Sequence, residues 1–127
     1  MDTSIDILLD FDGTVVRHEY PKIGIDNPGA IDVIKRLQNK GHRIILNTYR
    51  ADCNNETFAE AFFYLKQRGI HISDWRKTKS YPPKWDWNEI MVTKRMYIDD
   101  IAPNIPIRSG MVDWRELKEE FIKNKIL

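Results

Sequence analysis

The chain has 127 residues, 42% of them hydrophobic and 31% charged, and a net charge of +1 at neutral pH. That length suits one domain, residues 1–127, and the near-zero charge excludes a global pull toward nucleic acid or anionic membrane. Cys53 is the only cysteine, which excludes an intrachain disulfide, and no apolar run is long enough to span a bilayer.

The opening stretch "MDTSID" is acidic and polar, without a basic segment or a long apolar one. No secretory leader is expected, and the expected location is the cytoplasm. "IDILLDF" is a short apolar run ahead of Gly13 and reads as a central strand covered on both faces. "RHEYPKIGIDNPG" holds two prolines and two glycines and reads as a loop. Asn27 is then expected to cap a helix whose first residue is Pro28, with Ile31, Ile34 and Leu37 on one face and Gly41 at its end. "HRIILNT" predicts a second buried strand, Arg43 to Asn47, followed by a polar loop from Arg50 to Asn55. Asn55 is read as the cap of a helix from Glu56 to Gln67, with Phe58, Phe62 and Leu65 inward and Gly69 as the stop. "IHIS" predicts a short third strand. Residues 74–89 read as a loop rich in proline, aromatics and bases, and "RMYIDD" as a fourth strand. A short edge strand is expected at Ile105 to Ile107. Asp113 caps a closing amphipathic helix with Trp114, Leu117 and Phe121 on one face.

Strands alternating with helices predict right-handed crossovers and a mainly parallel central sheet flanked by helices. The expected fold is α/β, a three-layer Rossmann-like arrangement. In such sheets the ligand sits beyond the carboxyl ends of the strands. Asp10, Thr48 and Asp99 all fall at such ends, so the topology is expected to gather them.

Asp10 and Asp12 end one apolar strand, and Asp99 and Asp100 end another. Buried carboxylates are costly unless something compensates them, and four together raise one another's pKa. Gly13 allows a sharp turn that brings Asp10 and Asp12 forward together. A divalent cation removes the repulsion, and an all-oxygen set suits magnesium. His18, His42 and His71 have no ligand spacing with one another or with Cys53, which argues against zinc.

"DFDGTVV" resembles the first motif of the haloacid dehalogenase-like superfamily. "IILNT" resembles its second motif, a strand ending in Thr or Ser, and "MYIDD" resembles its fourth, a strand ending in paired acids. The three follow the family's order from residue 5 to about residue 101. The resemblance implies a phosphatase with Asp10 as nucleophile, Asp12 as general acid and base, and Thr48 on the transferring phosphoryl group. It implies magnesium held by Asp10, Asp12, Asp99 and Asp100, and Gly13, Asn47, Thr48 and Arg50 lining the substrate's phosphate. The family's third motif is a lysine, for which Lys79, Lys84 and Lys94 are candidates. Lys84 is preferred because it follows Pro82-Pro83, where a short helix can begin.

The spaces between the motifs leave no room for the cap domain that many members carry. An open site is expected, suited to a phosphorylated small molecule or polymer end, or covered by a second copy of the chain. "DWRKTKSYPPKWDW" interleaves aromatics with bases and could stack on substrate, pack on the fold or contact another subunit. The alternative to an enzyme is a non-catalytic binding or signalling module on the same fold. The Asp10–Asp12 pair argues against it, because a binding pocket needs no general acid.

Overall fold

The computed structural model describes residues 4–127, so the first three residues of the stretch read for a leader lie outside the described residues. Four strands, β1 (Asp6–Leu9), β2 (Arg43–Leu46), β3 (Asp74–Trp75) and β4 (Arg95–Ile98), form one parallel sheet in the order β3-β2-β1-β4. Between and after them come α1 (Ala30–Asn39), α2 (Arg50–Cys53), α3 (Asn55–Gln67), α4 (Trp87–Thr93) and α5 (Trp114–Lys123). An antiparallel hairpin, β5 (Ile107–Arg108) with β6 (Met111–Val112), precedes α5. The fold is mixed α/β with a parallel sheet flanked by helices, consistent with a Rossmann-like arrangement. No helix among the described residues is long and apolar enough to cross a membrane.

Each central strand is buried on both faces. Ile7, Leu9, Ile44, Leu46, Met96 and Ile98 enter one hydrophobic cluster with Val33, Ile34 and Leu37 of α1, Leu65 of α3, and Leu117 and Phe121 of α5. Leu8 and Ile45, which alternate with them, are also buried. Burying each such side chain contributes about 1.5–3 kcal/mol. That contribution explains why strands of only four residues hold their places.

His42 ties the two chain ends to this core. Its Nδ1 accepts from the Ile5 backbone N–H at 3.0 Å, so its Nε2 donates to the Ile126 carbonyl at 3.0 Å. Asp113 caps α5 as the sequence implies, accepting from Arg115 and Glu116 N–H groups.

Several local expectations are corrected. Helix α1 begins at Ala30, because Gly29 takes a left-handed φ of 83° at its N-cap, and Asn27 instead donates its side-chain amide to the Thr14 and Val112 carbonyls. The loop read from Arg50 contains the short helix α2. Asn54 rather than Asn55 caps α3, accepting from Thr57 N–H at 2.8 Å. The third strand lies at Asp74–Trp75, just beyond "IHIS", and α4 lies partly within the stretch read as loop. The edge strand at Ile105 to Ile107 is instead Ile107–Arg108, half of the hairpin.

Candidate functional site

The register of the sheet assembles the site. Leu9 lies opposite both Leu46 and Ile98, so the residues that follow, Asp10, Asn47 and Asp99, leave the sheet at the same level. Backbone bonds continue one step further: Asp10 N–H donates to the Ile98 carbonyl at 2.9 Å, and Asn47 N–H to the Leu9 carbonyl at 2.8 Å. Residues nearly 90 positions apart in sequence thereby meet at the carboxyl edge. Asp10, Thr48 and Asp99 are all buried there.

A lysine lies between the two buried acids. The Lys79 ammonium donates to Asp10 Oδ1 at 3.0 Å and lies 2.9 Å from Asp99 Oδ2. Thr14 Oγ1 donates to the other oxygen of Asp10 at 2.8 Å and accepts from Asp100 N–H at 3.2 Å. Burial, then the charge of Asp99, pushes the Asp10 carboxyl well above its ordinary range, against the opposing pull of Lys79. Burial also raises Asp99, with Lys79 again opposing. Lys79 itself is raised: burial pushes it down, but its two carboxylate neighbours outweigh that. One ammonium therefore compensates two acids only in part.

The acids offer a donor set that could hold a cation beside Lys79. Oxygen atoms of Asp10, Asp99 and Asp100, one from each, lie within 4.8 Å of one another. Asp99 Oδ1 accepts from Ile101 N–H, whereas buried Asp99 Oδ2 has no aligned hydrogen-bond donor, its contact with Lys79 being a charge contact. Carboxylate oxygens with spare lone pairs are what a hard dication binds. Asp100 takes the third corner and pairs through Oδ2 with His18 Nε2 at 2.8 Å.

The remaining expected residues divide between pocket and support. Asp10, Asp12, Thr48 and Lys79 line one cleft of about 300 Å³, with the exposed rings of Tyr20 and Tyr49 at its rim. Thr48 Oγ1 accepts from Arg50 N–H at 3.1 Å, which leaves its hydroxyl proton to donate into the cleft. Gly13 takes a left-handed φ of 83°, and a Cβ there would collide with His18 and Asp100. Asn47 turns away from the cleft. Its amide bonds both ways to Ser80, donating to the carbonyl at 2.7 Å and accepting from N–H at 2.8 Å, while Asp52 accepts from Lys79 N–H at 2.9 Å. These bonds hold the segment that carries Lys79. Arg50 does not face the cleft with a free fork either: it is 1% exposed, and it grips Asp12 through Nε–Oδ2 at 2.7 Å and Nη2–Oδ1 at 2.9 Å.

The lysine preferred from sequence is elsewhere. Lys84 lines a larger cavity, about 500 Å³, together with Trp85, Ile90 and Tyr97, outside the acid cluster. Lys94 caps the end of α4 at the opposite, amino end of β4. The aromatic-basic stretch is not one surface. Trp75 packs against Phe58 and Phe62, and Trp85 and Trp87 against Phe121, while Tyr81 stays 64% exposed with the Lys79 ammonium 5.9 Å from its ring.

No family model matches the chain, and no curated protein matches it. A solved structure from Bacteroides thetaiotaomicron, described as a conserved protein coded by locus, is similar in fold. Its TM-score is 0.64 and its identity 29%, over 96% of this chain and 92% of that one.

Proposed function

We propose that this chain is a magnesium-dependent phosphomonoesterase of the haloacid dehalogenase-like type, working through an aspartyl-phosphate on Asp10. One observation carries the reading. The Asp10 carboxylate is held by Lys79 and Thr14 beside Asp99 and Asp100, and Asp12 lines the same cleft. A purely structural core has no need for two buried acids on one lysine with a third acid beside them, and a binding pocket has no need for a general acid such as Asp12.

In the first step a carboxylate oxygen of Asp10 bonds to phosphorus, the bond from phosphorus to the ester oxygen breaks, and Asp12 gives that oxygen its proton. In the second, water attacks the same phosphorus and passes a proton to Asp12, and the bond to Asp10 breaks to release phosphate. Lys79 and the Thr48 hydroxyl balance charge on the phosphoryl oxygens, where most of the catalytic effect of such transfers arises. Asp10, Asp99, Asp100 and the Asp12 carbonyl would hold magnesium, which supplies further charge neutralisation when bound.

The site has no cap in this reading. The exposed Tyr20, Tyr49 and Ile101 at the cleft suit an open mouth that admits a bulky phosphomonoester or polymer end. The exposed free Cys53 fits a reducing location such as the cytoplasm.

The test is phosphate release from a panel of phosphomonoesters with and without magnesium, in the wild type, Asp10→Asn and Asp12→Asn. Magnesium-dependent turnover lost in both variants is expected. Turnover that survives Asp10→Asn, or a wild type inert across the panel, overturns the reading.

A further inference from the structure

We propose that Arg50 is a positioning residue for proton transfer: a buried clamp that sets the plane of the Asp12 carboxylate and ties it to the loop at residues 17–26. The inference rests on the role of Asp12 in the reading above.

A guanidinium has five N–H donors, and in Arg50 all five are engaged within the chain. Nε and Nη2 take the two oxygens of Asp12. Nη2 also donates to the Lys22 carbonyl at 2.9 Å, and Nη1 to the carbonyls of Thr57 at 3.1 Å and Pro21 at 3.3 Å. The rings of Phe11 and Tyr20 lie with their centroids 5.2 and 5.1 Å from Cζ. Arg50 therefore has no donor left for a phosphate, which removes it from the substrate-binding set.

The arrangement is more than a salt bridge. A carboxylate gripped by a two-pronged fork cannot rotate about its own axis, so the lone pairs of Asp12 that remain face a fixed direction. The Asp12 side chain is 13% exposed, and the residue lines the cleft. A guanidinium held by that carboxylate alone would swing with it. Three carbonyls from two other segments also hold Arg50, so the fork is fixed to the fold and not to Asp12 alone. Two of them, Pro21 and Lys22, belong to the loop that also brings His18 to Asp100. Removing the arginine should thus misplace the acid and leave Asp10, Thr14 and Lys79 where they are.

A leaving-group series separates this role from a merely structural one. Nitrophenolate leaves without a proton, whereas phenol and alkyl alcohols need one to leave. In Arg50→Met, kcat/KM is expected to fall at least roughly tenfold more on phenyl phosphate than on nitrophenyl phosphate, within the usual reach of general acid catalysis. The Arg50→Met/Asp12→Asn double variant should be no slower than Asp12→Asn alone, as expected of groups that act as a unit. If Arg50→Met does not fold, the same comparison is made in Arg50→Lys, whose ammonium can meet only one Asp12 oxygen; a ratio between that of wild type and a tenfold differential is expected. Equal losses on all leaving groups, or additive losses in the double variant, overturn the clamp and leave the phosphatase reading standing. A wild type inactive on every ester overturns both.

Discussion

Replacing Lys79 by Met removes the ammonium between Asp10 and Asp99 and keeps an unbranched side chain, one atom shorter. Lys79 is 9% exposed, and the side chains of Asp10 and Asp99 are 5% and 1% exposed. Breaking a buried ion pair by deleting one partner costs roughly 3–5 kcal/mol. The stranded acids limit that cost by taking up a proton. Protonating a carboxyl group of ordinary pKa costs about 1.4 kcal/mol per pH unit above about 3.9, hence about 4 kcal/mol at pH 7 and about 1.5 kcal/mol at pH 5. The folded variant then binds more protons than its unfolded chain, so its stability falls as pH rises. At pH 7 the metal-free variant should unfold about 3–4 kcal/mol more easily than wild type, a drop of roughly 10–15 °C in Tm for a chain of this size. The gap should narrow at pH 5, because without the opposing charge of Lys79 the two acids are raised further than in wild type. Millimolar magnesium should restore much of the stability, because a dication replaces the lost charge, but not the turnover. The assay is thermal unfolding of both proteins at several pH values, with and without magnesium. A gap that stays constant from pH 5 to 7, or that magnesium leaves untouched, refutes the charge account of this cluster.

Two other substitutions probe the same site from different sides. Asn47→Ala deletes both bonds to Ser80 and leaves two backbone groups of a partly buried segment unpaired, at a cost of about 1–3 kcal/mol each where water cannot reach them. It should lower kcat by loosening Lys79, and an unchanged kcat beside a lowered Tm would show that Asn47 only stabilises. Asp10→Asn should abolish turnover and yet raise the Tm of the metal-free protein at neutral pH. The folded pKa of Asp10 lies above its unfolded value, so its stabilising contribution is complete below about pH 4 and is lost as pH rises through the raised value. The gain from Asn should therefore fade toward pH 4, and a gain that grows as pH falls contradicts the raised pKa of Asp10.

Sequence alone determined the parts of this protein that depend on local pattern. Short apolar runs placed β1, β2 and β4 and put Asp10 and Asp12 after the first, Asn47 and Thr48 after the second, and Asp99 and Asp100 after the last, because strand burial and chain alternation are written residue by residue. The cap at Asp113 and the inward faces of α1 and α5 follow from the same local chemistry. Tertiary structure decided the rest. Lys79, not Lys84, meets Asp10 because the Asn47 amide and the Asp52 carboxylate, 33 and 27 positions away, anchor its segment. No periodicity encodes such a bond. Arg50 turned from a phosphate contact into the partner of Asp12 for the same reason: its five donors are claimed by atoms from three separate stretches of chain, and only the folded sheet brings those stretches within reach.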